Sequence, residues 1–186
     1  MIYPIVALGN PVLKERAKEI DPRMPELPAL ISDMFETMYE ANGVGLAAPQ
    51  IGKSIRLFVV DAEPMDEEKL KGAKMVFVNP VKLEEDGTPW PYEEGCLSIP
   101  GIREEVKRPE SITLEYQDEK GEKHKRTFEG KLARVIQHEY DHLEGKLFID
   151  YLSPFRKKLI QNKLNDIVKG RAKADYPIRF FPQAKR

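Results

Sequence analysis

The chain has 186 residues and a net charge of −1, with 41% hydrophobic and 33% charged residues. That length suits one domain, which can bury roughly 70% of its unfolded surface without disulfides. The apolar runs are too short to span a bilayer, the composition is not that of a disordered chain, and the single cysteine, Cys96, excludes an internal disulfide.

After an irregular start with Pro4 and Pro11, the residues Leu27, Leu30, Ile31, Met34, Met38 and Ala41 recur at helical spacing, and Asn42-Gly43 ends that helix. Residues 43–52, GVGLAAPQIG, read as extended backbone that something else approaches closely. Residues 56–60 and 74–78 read as buried strands, joined by an exposed charged loop over 61–72. Asp86-Gly87 marks a turn, and Ile112, Leu114 and Tyr116 alternate as in a half-buried strand that returns through 119–121 to Thr127 and Phe128. A second helix is predicted over about 131–144, with Leu132, Val135, Ile136, Glu139 and Leu143 at helical spacing and Gly145 as its stop. A third, basic helix spans about 154–168, with Phe155, Leu159, Lys163 or Leu164, and Ile167 on one side; Pro177 and Pro182 forbid further helix. Short strands interrupted by a few helices define an α+β fold: antiparallel or mixed sheets around the second helix, with one helix towards each terminus.

Residues 151–186 hold ten Lys or Arg against Asp166 and Asp175, a local charge of +8, so the first 150 residues carry −9. Such a tail suits an anionic surface, such as a ribosome, although a solvated helix face gives the same pattern. The N-terminus lacks the composition of a secretory signal or transit peptide, so the protein is expected in the cytoplasm.

Residues 138–142, His-Glu-Tyr-Asp-His, form an HExxH pattern inside the second helix. One helical turn separates His138 from His142, so both imidazoles reach one metal ion, with Glu139 beside it as a base for water. A catalytic site of this kind takes a third protein ligand. The pattern continues through Gly145 as in the metzincin proteases, but Phe148 stands where their third histidine would be. His124 lies in the charged stretch EKGEKHKRT and reads as an exposed hairpin residue. Cys96, flanked by Gly95, is the better candidate, the bland alternative being a small buried apolar group.

Taken together and in this order, GVGLAAPQIG, EGCLSIP and QHEYDHLEG resemble the signature of the peptide deformylase family. The early VALGNPVLKERAKEI and the VNP at 78–80 add to the likeness, which covers most of residues 1–152. The resemblance implies a metal-dependent hydrolase that removes the N-formyl group from the initiator methionine of new polypeptides and releases formate. It places the ligands on Cys96, His138 and His142, and one divalent ion per chain: Fe(II) in the cell, with zinc, nickel or cobalt able to take its place. It makes Glu139 the general base and acid acting on metal-bound water, with Gln50 and the backbone N–H of Leu97 donating to the formyl oxygen. Gly43, Val44 and Gly45 become a strand edge that pairs the substrate backbone. Val44, Val135 and His138 line the methionine pocket, with the stem of Arg134 covering it and its head in water. Arg103 lies near the substrate backbone, and Glu94 orients a ligand or an arginine. The domain organisation that follows is one catalytic domain over 1–170, including the basic helix, and a tail over 171–186. The partners implied are N-formyl-methionyl nascent peptides and, through that helix, the ribosome, with no membrane and a monomeric chain in a bacterial cytoplasm.

Two other readings fit parts of the pattern. HExxH also serves zinc peptidases, although a thiolate third ligand argues against them. A purely structural metal site would want a fourth protein ligand, which the sequence does not offer.

Overall fold

In the computed structural model, which describes residues 1–182, the elements follow in chain order as β1 (Ile5–Val6), α1 (Leu27–Glu40), β2 (Gly45–Ala47), β3 (Leu57–Asp61), β4 (Lys74–Asp86), β5 (Trp90–Cys96), β6 (Ile99–Arg108), β7 (Ser111–Gln117), β8 (Lys123–Glu129), α2 (Gly130–Leu143), α3 (Pro154–Val168) and β9 (Ile178–Arg179). The last four residues of the expected tail, 183–186, lie outside the described residues. Short 3-10 turns join several elements. The fold is α+β.

Five strands form one antiparallel sheet in the order β2-β3-β4-β7-β8. Successive residues of β3 point to opposite faces, and both faces are buried. Leu57 and Val59 pack with Val76, Val78 and the α1 residues Leu30, Ile31, Met34 and Met38. Phe58 and Val60 pack with Phe77, Leu114, Phe128 and the α2 residues Val135, Ile136, Tyr140 and Leu143. The sheet is thus sandwiched between two helices, and every residue of α2 from Ala133 to Leu143 is buried. A helix covered on all sides is a rigid platform for the side chains it carries. Gly145, at φ +71, ends α2, and a Cβ there would run into the backbone of Lys14.

On the other side of α2 lies the β5–β6 hairpin. Its apolar residues Ile99, Ile102 and Val106 join Phe148, Leu152 and the α3 residues Ile160, Leu164 and Ile167 in a third core cluster. The tail returns from α3 to lay β9 parallel to β1, pairing Ile5 with Ile178.

Several expectations need correction. β4 runs eight residues beyond Val78, through two irregularities of register, one of them at Asn79, whose φ is +49. The β5–β6 hairpin was not foreseen, because two of the inward positions of β6, Glu104 and Arg108, are charged and break the apolar alternation. The buried stripe of α3 is Ile160, Leu164 and Ile167; Phe155 and Leu159 are 69% and 57% exposed. The loop over 61–72 contains a turn at Glu63–Met65, and Met65 and Leu70 pack against the core beside α2.

Candidate metal centre and active site

The one-turn spacing in α2 brings His138 and His142 side by side, with ring centroids 5.1 Å apart. Cys96, at the end of β5, meets them: its Sγ lies 3.4 Å from Nε2 of His142. The ligating atoms of Cys96, His138 and His142 all lie within 4.8 Å of one another. A tetrahedral sulfur–metal–nitrogen angle at ordinary bond lengths spans about 3.6 Å between sulfur and nitrogen, so the cluster has the dimensions of a metal site. One thiol and two imidazoles suit a borderline transition metal such as Zn²⁺ or Fe²⁺.

Glu94, buried at 5% exposure, organises the surroundings. Its Oε1 accepts from Nδ1 of His138 at 2.9 Å, which leaves Nε2 of that ring to face the cluster. Both of its oxygens also accept from Arg108, at 2.8 and 3.0 Å, and Oε2 accepts from Arg134 at 3.1 Å. Burial alone would push this carboxyl up, but His138 and Arg108 more than offset it and hold Glu94 at about 2. Arg108 reaches on to Asp141 at 2.7 Å, and Tyr151 donates to the same carboxylate at 2.7 Å. The sequence carried no signal for Arg108 or Tyr151. Asp141 was visible only as the fourth residue of the HExxH segment.

Glu139 is buried beside the cluster, and its Oε2 has no hydrogen-bond partner among the described residues. Burial pushes its carboxyl up to about 7, against the pull of His138. Gly45 makes room for it: a Cβ there would sit 2.5 Å from Glu139 Oε1. Burial holds His142 well below the ordinary imidazole value, and the charge of His138 adds to it. The neutral imidazole is the form that binds a metal.

A groove of about 740 Å³ opens onto the cluster. Gln50, Leu97, Gly43, Val44, Gly45, Arg103, Arg134, Val135, His138 and Glu139 all line it, so the expected site residues converge, with His142 just behind. Gln50 is buried, accepts from the Ala47 N–H at 3.0 Å and directs its Nε2 at Cys96 Sγ, 3.4 Å, and Ser98 Oγ, 3.3 Å. Ser98 had gone unnoticed.

Three details differ from expectation. The carbonyl of Val44 accepts from Asp61 at 2.9 Å and the N–H of Gly43 donates to Met38 at 2.9 Å, so strand alternation leaves Gly45 as the residue turned to the free edge of β2. Arg134 does cover the groove, but its head is not in water: it is 2% exposed, donates to Glu94 and the carbonyls of Val106 and Trp90, and lies 4.6 Å over the Trp90 ring. Interior acceptors replace the solvent for its two terminal nitrogens, while its buried Nε has no partner among the described residues. His124 is half-buried, paired with Asp118 at 2.7 Å and stacked on Tyr116, away from the cluster.

An α+β scaffold with a buried HExxH helix, a thiol beside its two histidines and an open groove has the arrangement of a hydrolase-type metal site. Residues 2–158 match the family model described as polypeptide deformylase. The chain is 52% identical to a peptide deformylase of Christiangramia forsetii, covering 100% of this chain and 99% of that protein, and 51% identical to one of Cytophaga hutchinsonii, covering 97% and 98%. Among solved structures it is similar to a peptide deformylase from Legionella pneumophila, with TM-score 0.80 and 41% identity over 93% of this chain and 100% of that one. It is also similar to peptide deformylase 1B of Arabidopsis thaliana in complex with an inhibitor, with TM-score 0.82 and 37% identity over 90% and 91%. The chain belongs to the polypeptide deformylase family and is an enzyme of that class. Among the described residues no helix is long and apolar enough to cross a membrane.

Proposed function

We propose that this enzyme removes the N-formyl group from the N-terminal formyl-methionine of newly made polypeptides, as a monomer in the bacterial cytoplasm. The observation that carries this reading is the buried carboxylate of Glu139, beside the Cys-His-His cluster and facing the Gly45 edge, with an Oε2 that has no partner among the described residues. Cys96, His138 and His142 would hold a divalent ion, Fe(II) in the cell with zinc, nickel or cobalt as substitutes, which would supply a Lewis acid able to bring the ionisation of water near neutral pH.

The protein's own groups do the rest. The Gly45 edge pairs the extended substrate backbone, which reads main chain and leaves the sequence after methionine free. Val44, Val135 and the stem of Arg134 wall the methionine side chain, and Arg103, anchored on Glu93 at 2.8 Å, sits at the rim near the substrate backbone. Glu139 takes a proton from the attacking water and returns it to the amine nitrogen as the carbon–nitrogen bond breaks, giving formate and a free α-amine. Gln50 Nε2 and the Leu97 N–H donate to the formyl oxygen as it gains charge; losing one such donor costs about 3 kcal/mol in the transition state. On this reading residues 1–170 are the catalytic domain, and the tail beyond them, paired along β1, adds residues 173–176 to the groove.

The test is formate release from a formyl-Met dipeptide by anaerobically prepared, metal-loaded protein beside Glu139→Ala. We expect robust release, a loss of about 10²- to 10⁴-fold in the variant, and no cleavage of the acetylated peptide. Equal rates for the two proteins would remove Glu139 from its role, and cleavage of internal peptide bonds would favour a peptidase.

The basic helix α3 supports ribosome docking in the same reading. Lys158, Lys163 and Lys169 are exposed around Phe155 and Leu159, while Ile160, Leu164 and Ile167 hold the helix to the body. Reversing those three lysines to glutamate is expected to abolish salt-sensitive co-sedimentation with ribosomes. Unchanged co-sedimentation would overturn the docking.

A further inference from the structure

The strip 96–98 joins β5 to β6 through a shift of register, so the sheet gives it little support. Yet it carries the ligand Cys96 and the N–H of Leu97. Distant parts of the chain hold it instead. The Leu8 N–H donates to the Ser98 carbonyl at 2.8 Å, and Gln50 reaches Ser98 Oγ. The Tyr176 hydroxyl donates to the Leu97 carbonyl at 2.7 Å, an ideal length for such a bond.

Tyr176 comes from beyond α3, outside the residues 2–158 that match the family model. Its position is set by the return of the tail: the Ile5 N–H donates to the carbonyl of Pro177 at 2.8 Å and the Ala7 N–H to that of Arg179 at 2.9 Å. β1 therefore ties both the tail and, through Leu8, the strip itself. The half-buried ring packs with Leu97 on the core beneath α1, and residues 173–176 line the groove.

We propose that Tyr176 is a positioning residue of this active site: its hydroxyl fixes the backbone of Leu97, so that the Leu97 N–H stays aimed at the formyl oxygen while residues 173–176 wall the groove. This rests on the deformylase reading. The bond holds a donor whose contribution grows as charge develops on the formyl oxygen, so its loss shows in kcat and leaves KM in place.

The experiment compares Tyr176→Phe with wild type, which removes one oxygen and keeps the ring. On formyl-Met peptide we expect kcat to fall about five- to tenfold with KM and metal content unchanged and the thermal midpoint lowered by only about 2–4 °C, the effect of one net hydrogen bond. Amide hydrogen exchange is expected to speed up over residues 96–99 and to stay unchanged in β6 beyond Arg103. Wild-type kcat in the variant, or unaltered exchange at 96–99, would overturn the proposal. Absence of formate release from wild type would instead sink the deformylase reading, and the exchange measurement would still decide whether the hydroxyl holds the strip.

Discussion

Oε1 of Glu94 accepts the Nδ1–H of His138 at 2.9 Å, across 44 residues of sequence. The same carboxylate accepts from Arg108 and Arg134, so one buried anion orients an imidazole and pairs with two guanidinium groups, Arg108 having Asp141 as a second partner. Removing it leaves those cations buried with too few acceptors, which is more harmful than never having had the pair. Glu94→Ala is therefore expected to weaken metal affinity about 10- to 100-fold and to cost about 3–5 kcal/mol of stability. Chelator competition and denaturant titration measure the two effects. A variant with native affinity would show that His138 needs no orienting partner.

Gly45 faces Glu139 so closely that a methyl group would displace the carboxylate. Gly45→Ala is expected to lower kcat about 100-fold or more, since misplacing a reacting group by about 1 Å has that effect. The fold should survive, because the carboxylate is at the end of a side chain that can move. Steady-state kinetics beside the circular dichroism spectrum checks this, and a fully active variant would refute the close approach.

Two aliphatic residues of α3 separate packing from surface. Ile167 is 1% exposed within the third core cluster, whereas Leu159 is 57% exposed. Ile167→Ala should cost about 2–5 kcal/mol, and Leu159→Ala should stay within about 0.5 kcal/mol. Equal losses in denaturant midpoints would contradict the orientation of the helix.

Tyr39 donates to Asp61 at 2.6 Å. Burial and then this carboxylate push the phenol from 10.0 up to about 12. The folded value lies above the unfolded one, so the neutral hydroxyl contributes stability that is fully present below pH 10 and is lost as pH rises through about 12. The stability gap between wild type and Tyr39→Phe should shrink across that interval. Denaturant midpoints at about pH 9 and about pH 12 measure it, and a constant gap would rule the linkage out.

Much of the scaffold was legible because it is written in local periodicity. Helix α3 runs from Pro154 to Val168, the span expected from the sequence, and β7 and β8 pair Thr113 with Thr127 across the expected turn. The one-turn spacing of His138 and His142 required only that α2 be a helix. Cys96 was already preferred over His124 as the third candidate ligand from its surroundings, and motif likeness pointed to the same residue.

Tertiary structure decided the rest. The hairpin that carries Cys96 to α2 was hidden because Glu104 and Arg108 point inward, where a polarity pattern expects apolar residues. Those charges are tolerable only beside Arg156, Glu94 and Asp141, partners up to 52 residues away. The same holds for the buried head of Arg134 and for Tyr176, which meets Leu97 across 79 residues. A sequence records the period of its polarity, and so its helices and many of its strands. Which buried charge meets which acceptor depends on how the chain closes on itself, and only the folded molecule determines that.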